Sequence, residues 1–156
     1  FALEIYQDFT EEMWEFVRGI NFSFLGTSAR NHRSVILTGV IDFSNQYNLM
    51  YLKEIQNLLD DYHQEILFVE LETSLEERLR RNRTENRLKH KPLKRHIEVS
   101  EREILETAET LQLNSQFQPN ELHHYFKINN TNLSAEEAAK QIQNKMNKIE
   151  KGQTHV

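Results

Sequence analysis

The chain has 156 residues, a mass of 18.7 kDa and a net charge of −5. Its length fits one globular domain, residues 1–156, and a hydrophobic fraction of 38% argues against wholesale disorder. No run of about 18 apolar residues occurs, which excludes a transmembrane helix. The absence of cysteine excludes disulfides and thiolate chemistry. The start of the sequence lacks the basic and cleavage regions of a signal peptide, so we expect a cytoplasmic protein.

In chain order, the first elements follow from the spacing of apolar residues. Apolar side chains recur every three or four residues over 2–25, which predicts a long amphipathic helix in which Thr10 could start a fresh turn. Residues 26–33 are polar and predict a loop. The run from Val35 to Ile41 is rich in β-branched residues and predicts a strand buried on both faces. A second amphipathic helix is predicted over 47–62.

The second half continues the alternation of strand and helix. A strand is predicted from Glu65 to Leu71, followed by a helix that begins at Leu75 with Thr73 or Ser74 as its N-cap. The sequence His90-Lys91-Pro92 should interrupt that helix, because proline disfavours helical backbone in the residue before it.

Three further elements complete the predicted pattern. Ser100, with Glu103 three residues later, predicts the N-cap of a helix over Val99 to Leu111. A short strand is predicted from Tyr125 to Ile128, then a turn and a last helix over 135–149. The alternation predicts an α/β fold with a largely parallel sheet, in which ligands bind at the carboxyl ends of the strands.

Charge is concentrated in one segment, residues 78–95, which we call the basic island. It holds nine arginines and lysines and one acid, Glu85, for a net charge of +8, which leaves −13 on the rest of the chain. Such a segment suits an anionic ligand. The bias toward arginine favours phosphate, because the planar guanidinium matches phosphate oxygens. The alternative is a solvated helix face balanced by neighbouring acids.

Two smaller features leave a structural alternative open. Asp42 follows the predicted strand and could orient Mg²⁺ or act as a base toward an acceptor hydroxyl, or it could only cap a turn. The pair His123-His124 lacks a histidine or carboxylate at helical spacing, which favours a surface loop over a metal site.

Two segments carry a resemblance to a known family. VELETSLEERLRRNRTENRLKHKPLKR and the later INNTNLSAEEAAKQI resemble the second half of the small P-loop phosphotransferases, which include shikimate, gluconate and nucleoside-monophosphate kinases. The first segment is most similar to a branch of bacterial AAA-type or shikimate-kinase-like ATPases with a LEERLRRN-x-TENR-x-x-HKP-x-KR motif. The resemblance implies a three-layer α/β/α, P-loop kinase-like fold with a parallel sheet and an arginine-rich lid over about 76–96.

The resemblance also implies roles for individual residues in binding ATP. Arg83 and Arg87 look like the lid arginines that contact the phosphates, and Arg78 or Arg81 resembles the arginine that packs against adenine. The segment Asn130-Thr131-Asn132 looks like the adenine loop.

For the acceptor substrate the likeness is weaker. Thr38-Gly39 matches the strand-end TG that precedes the substrate loop of shikimate kinases, but VIDF follows where the family has further glycines. The first helix would border the acceptor, with Trp14 and Arg18 as wall residues.

The glycine-rich phosphate loop of this family has no counterpart here. The motif G-x-x-x-x-G-K-[ST] cradles phosphates with backbone N–H groups, and the four glycines, at positions 19, 26, 39 and 152, do not form it. We expect a first strand and phosphate loop to precede these residues in the complete protein. The alternative is a degenerate kinase that has lost ATP binding.

Two functions are consistent with these features. The first is an ATP- and Mg²⁺-dependent phosphotransferase acting on a small-molecule acceptor that the sequence does not identify. The second is a non-catalytic module that holds an anion or nucleic acid with the basic island. Nucleic acid is disfavoured, because the island has no aromatic residues on which bases could stack.

Overall fold

A computed structural model describes residues 10–90 and 96–152 of the chain. In those ranges it contains six helices and two strands: α1 Glu11–Arg30, α2 Gln46–Asp61, β1 Phe68–Glu72, α3 Leu75–Asn82, α4 Glu85–His90, α5 Ile97–Thr110, β2 Tyr125–Asn129 and α6 Ala135–Glu150. None of the helices described is both long and apolar enough to cross a membrane.

The two strands form a small parallel sheet. β1 pairs with β2 along its whole length, from Phe68 opposite Tyr125 to Glu72 opposite Asn129. Helix α6 follows β2 and places the ammonium of Lys145 5.0 Å from the centre of the Phe126 ring. Helices combined with a parallel strand pair confirm the mixed α/β class, whereas the three-layer P-loop architecture stays a prediction.

The other face of this sheet carries a buried carboxylate. Glu70 is 7% exposed and accepts hydrogen bonds from Asn114 Nδ2, from the amide and hydroxyl of Ser115 and from the Tyr125 hydroxyl. Lys127, its partner in the strand register, lies 3.1 Å away. Burial raises the pKa of Glu70, but these hydrogen bonds outweigh burial and hold the pKa at about 2.

The predicted first helix is confirmed from residue 11 onward, and its first nine residues lie outside the described ranges. Thr10 begins α1 as its N-cap, and its hydroxyl accepts a hydrogen bond from the amide of Met13. The predicted loop over 26–33 was wrong in its first part, because α1 continues to Arg30. Gly26 is buried, and a Cβ there would lie 4.0 Å from Leu58 and Tyr62, so packing against α2 supports this last turn.

The prediction of a strand from Val35 to Ile41 was wrong. Residues 33–42 have no regular secondary structure, and Ile36 is 92% exposed and Val40 72% exposed. A strand needs a neighbour to pair its backbone N–H and C=O groups, and neither β1 nor β2 pairs with this run. The β-branched pattern is present, but its hydrogen-bonding partner is missing from the described residues.

The remaining elements agree closely with the sequence. The predicted helix over 47–62 and both later strands are confirmed within three residues at each end. Ser74 is the N-cap of α3, and Ser134 forms a complete capping box with Glu137 at the start of α6. Helix α4 ends at His90, and the proline that predicted this end lies outside the described ranges.

The predicted cap at Ser100 was wrong. Helix α5 begins at Ile97, three residues earlier, and Ser100 is buried inside it at 3% exposure. Its hydroxyl donates to Asn82 Oδ1 over 2.8 Å, so this serine joins two helices instead of starting one.

Candidate functional site

The loop after β2 lies against the start of α3. The amide of Asn130 donates to the carbonyl of Glu72 over 2.8 Å, which continues the strand pairing by one residue. The amide of Ser74 and the hydroxyl of Thr73 both reach the Thr131 hydroxyl, at 3.1 and 3.3 Å. The carboxyl ends of the two strands therefore bring the predicted adenine loop beside the first turn of the predicted lid.

Arg81 joins the lid to that loop. Its guanidinium Nη2 lies 2.6, 3.3 and 3.5 Å from the backbone carbonyl oxygens of Asn130, Thr131 and Leu133. Its Nε donates to Glu77, one turn earlier on α3, over 2.7 Å. This contact brings the predicted adenine loop together with the basic island.

A cavity of about 300 Å³ opens beside Arg81. It is lined by residues from α3, the loop and the start of α6: Glu77, Arg80, Arg81, Asn130, Leu133, Ser134 and Ala135. The side-chain oxygen of Asn130 is buried and has no hydrogen-bond partner among the described residues. Because Asn130 lines the cavity, a turn of its side chain toward the cavity would let this unpaired oxygen accept a hydrogen bond from a ligand N–H group.

Two carboxylates pair with three arginines of the basic island. Glu77 accepts from Arg80 over 2.6 and 2.7 Å in addition to its bond with Arg81, and the hydrogen bond from Arg80 holds the pKa of Glu77 at about 2. Arg83 pairs with Glu101 of α5 through two bonds of 2.5 and 2.9 Å, and these lower the pKa of Glu101. The island is thus a set of ion pairs as well as a source of positive charge.

Asn82 connects the end of α3 to α5. It is fully buried, and its Oδ1 accepts from Ser100 and, over 3.1 Å, from Arg87 Nε. Its Nδ2 has no hydrogen-bond partner in the described part of the chain. Asn82 therefore fixes α5 and the guanidinium of Arg87 against the end of α3. Arg78, by contrast, bonds through its backbone amide to the carbonyl of Ser74, and its side chain forms no hydrogen bond or ion pair with a described residue.

Sequence reasoning missed three residues of this region: Glu77, Asn82 and Glu101. The spacing of Glu77 to Arg80 and Arg81, three and four residues on one helix, was a usable signal for the first of them. Asn82 and Glu101 each bond to a partner that lies 18 residues away in the sequence, and no local sequence pattern marks such contacts.

Asp42 lies outside this cavity and caps a turn. Its Oδ1 accepts from the hydroxyl and amide of Ser44, at 2.7 and 3.0 Å, and from the amide of Gln112 at 3.1 Å. The hydroxyl of Ser44 contributes most to lowering the pKa of Asp42. These contacts match the turn-capping alternative for this residue.

None of the predicted acceptor residues is among the described residues that line the cavity. Trp14 is 56% exposed on α1, and Arg18 pairs with Glu54 of α2. Thr38 and Gly39 lie in the exposed run after α1. Asn132, the last residue of the predicted adenine loop, is also exposed.

The adjacent histidines contact carboxylates at the surface. His123 Nε2 lies 3.8 Å from Asp60, and His124 Nε2 lies 3.5 Å from Glu65. Within residues 10–90 and 96–152, no group of three or more histidines and carboxylates could hold a metal ion.

Comparison with known proteins adds no relative: neither a family model, nor a curated protein, nor a solved structure matches the chain. The kinase resemblance therefore remains a prediction from the sequence.

Proposed function

We propose that the protein is an ATP-dependent phosphotransferase with a P-loop kinase-like fold, in which the cavity beside Arg81 receives the adenine base. The observation that carries this proposal is the cavity between α3 and the loop after β2, which is lined in part by Asn130, a residue whose buried Oδ1 has no hydrogen-bond partner among the described residues. Adenine carries an exocyclic amine that can donate to such an oxygen, and the flanking guanidiniums of Arg80 and Arg81 offer planar cationic surfaces on which a base can stack.

The lid arginines are proposed to neutralise the phosphates. Phosphoryl transfer depends mainly on positioning and on charge neutralisation, which arginine side chains can supply. Arg83 and Arg87 already have partners, Glu101 and Asn82, so each would exchange a protein contact for a phosphate contact when ATP binds. A lid that moves as it binds would also exclude water from the reaction.

The proposal assigns to this chain the base-binding and lid parts of the site, and not the phosphate cradle. The glycines do not form a P-loop motif, and the described residues offer no cluster suited to Mg²⁺. Mg²⁺ commonly keeps several waters and is bound through substrate phosphates, so it would accompany ATP without a dedicated protein cage.

The ion pairs argue against a nucleic-acid-binding module. Arg80, Arg81 and Arg83 each bond to a carboxylate, which reduces the charge that could displace counterions from a phosphate backbone. A base-sized cavity beside these arginines is better suited to a single nucleotide.

Binding measurements with three probes test the proposal. Calorimetry with ATP, CTP and tripolyphosphate should rank ATP tightest, and Asn130→Leu should weaken ATP binding while leaving tripolyphosphate unchanged. Asn132→Leu, in the same loop but exposed, is the matched control. Equal affinity for ATP and tripolyphosphate, insensitive to Asn130→Leu, would favour a simple anion-binding module. No binding of any probe would refute nucleotide binding altogether.

Turnover tests the lid. The rate of ADP formation from ATP should fall sharply in Arg83→Ala and in Arg87→Ala. The thermal unfolding midpoint of both variants should change little. Unchanged turnover in both variants would refute the assignment of these arginines to the phosphates.

A further inference from the structure

The described arginines of the basic island differ in their partners. Arg80, Arg81 and Arg83 each bond to a carboxylate. The side chains of Arg78 and Arg87 form no ion pair with a described residue, although both residues are partly buried. Removing a charge from water is costly unless a counter-charge or hydrogen bonds replace the water. These two guanidiniums therefore lack the anionic partner that the other three have.

Asn82 is a neighbour of both of these arginines. It lies four residues after Arg78 on α3, and side chains at that spacing are adjacent on a helix surface. Its Oδ1 accepts a hydrogen bond from Arg87 Nε over 3.1 Å. The positions of Arg78 and Arg87 therefore meet at one buried amide.

The amide of Asn82 is itself short of an acceptor. The residue is fully buried, and its Nδ2 has no hydrogen-bond partner among the described residues. Exchanging the oxygen and nitrogen of the amide would not supply one, because Arg87 Nε is a donor and has to face an oxygen. Unpaired buried donors are rare in folded proteins. Three donor groups, two of them cationic, thus lack acceptors in one small region at the end of α3.

We propose that Arg78, Asn82 and Arg87 form a binding site for a phosphate group. Phosphate supplies what the arginines lack, a negative charge, and what the amide lacks, a hydrogen-bond acceptor. A guanidinium donates two parallel bonds to phosphate oxygens, and a further oxygen remains for the amide. Arg87 exchanges its bond to Asn82 for the phosphate, which frees the amide to turn toward the same ligand.

This assignment differs from the one that the family resemblance implies. The resemblance gives either Arg78 or Arg81 to adenine and gives Asn82 no role. Arg81 lines the cavity and bonds to the loop after β2, whereas Arg78 is not among the described residues that line it. The two arginines are three residues apart on α3, so a nucleotide would have its base and its phosphates on adjacent sides of one helix.

The phosphate site does not itself depend on adenine. Its assignment to the phosphates of ATP rests on the proposed function, whereas a free phosphate ion presents the same kind of oxygens and charge. Three probes separate these sources: ATP, tripolyphosphate and inorganic phosphate.

Calorimetry at constant ionic strength tests the role of Arg78. Arg78→Gln should weaken the binding of tripolyphosphate and of ATP by about tenfold or more, the effect of a lost hydrogen bond to a charged group. Arg78→Lys keeps the charge without the planar fork, so it should recover only part of the affinity. Lys89→Gln is the matched control, because it removes one positive charge at an exposed position of the same island. Equal losses of affinity in Arg78→Gln and Lys89→Gln, or full affinity in Arg78→Gln, would overturn the site.

The amide is tested by a change that keeps the shape of the side chain. Asn82→Asp replaces the unpaired Nδ2 donor with an acceptor, so it should repel phosphate and weaken tripolyphosphate binding by about tenfold or more. Urea denaturation shows whether the variant remains folded, and the Arg78 variants decide alone if it does not. Unchanged tripolyphosphate affinity in folded Asn82→Asp would exclude the amide and overturn the proposed set of ligand groups.

The outcomes separate this inference from the proposed function. ATP binding that is unaffected by Arg78→Gln would overturn the phosphate site and leave the base cavity as proposed. Tripolyphosphate binding that equals ATP binding and depends on Arg78 would support the phosphate site and refute the assignment to a nucleotide. Inorganic phosphate that binds as tightly as both would identify free phosphate as the ligand of the site. If none of the three probes binds, both proposals fail.

Discussion

The guanidinium of Arg81 donates to the backbone carbonyl of Asn130 over 2.6 Å, across 49 residues of sequence. This bond and the contacts to Thr131 and Leu133 hold the loop after β2 on α3. Arg81 thus has a structural role, the anchoring of the loop, whereas the adenine contact that the family resemblance implies for Arg78 or Arg81 stays a prediction.

Replacement of Arg81 by alanine should destabilise the fold. The change leaves backbone carbonyls of the loop without their donor, at a cost of about 1–3 kcal/mol in the free energy of unfolding. Urea denaturation measures it. Arg80→Ala is a matched control, because Arg80 also bonds to Glu77 but has a side chain that is 67% exposed and forms no hydrogen bond with the described residues of the loop. Equal denaturation midpoints for both variants would show that the carbonyl contacts contribute nothing.

The buried carboxylate of Glu70 should make stability depend on acid pH. Its pKa is about 2 in the folded chain, against an ordinary value of 4.5 in the unfolded chain. A lowered folded pKa contributes stability that is complete above pH 4.5 and is lost as the pH falls toward 2. The shift corresponds to about 3 kcal/mol at neutral pH.

Glu70→Gln should therefore unfold at lower urea concentration at pH 7 and show a flatter decline in stability between pH 4.5 and 2. Glu72→Gln provides the comparison, because Glu72 lies on the same strand and pairs with the same lysine at 3.4 Å but is 36% exposed. If the free energy of unfolding of Glu70→Gln depended on pH in the same way as that of the unmodified chain, the hydrogen bonds to Glu70 would not be the cause of the loss of stability in acid.

Elements that depend on interactions between nearby residues were predicted from the sequence more accurately than elements that depend on residues far apart in the chain. Helix starts at Ser74 and Ser134 depend on a side chain and an amide three residues away, so a short motif was enough to find them. A short motif was not enough to predict the conformation of Val35 to Ile41, because a strand requires a neighbouring strand to pair with as well as suitable residues. Ser100 was misassigned for a related reason: its spacing to Glu103 fits a cap, but its hydroxyl is used by Asn82, 18 residues away.

The hydrogen bond between Ser100 and Asn82 should stabilise the packing of α5 against α3. Ser100→Ala removes a buried donor and leaves the Asn82 oxygen with Arg87 alone, at an expected cost of about 1–2 kcal/mol. Thr110→Ala is the comparison on the same helix, because its hydroxyl bonds only to the carbonyl of Glu106, one turn earlier. Chemical denaturation of both variants measures the difference. A loss in Ser100→Ala no larger than in Thr110→Ala would mean that this contact does not join α3 to α5.

Glu101 should compete with phosphate for the guanidinium of Arg83. In the unliganded chain the two side chains form two charge-assisted bonds, so an arriving phosphate must displace a carboxylate. Glu101→Gln removes that competition, and we expect the affinity for ATP and for tripolyphosphate to rise roughly two- to fivefold, the range of an exposed ion pair. Glu98→Gln changes the charge by the same amount at an exposed position of α5 and corrects for the general effect of removing an acid. Calorimetry at constant ionic strength makes the comparison. Equal gains in affinity in both variants would indicate only an effect of net charge. A loss of affinity specific to Glu101→Gln would show that Glu101 positions the Arg83 guanidinium for phosphate binding instead of competing with phosphate.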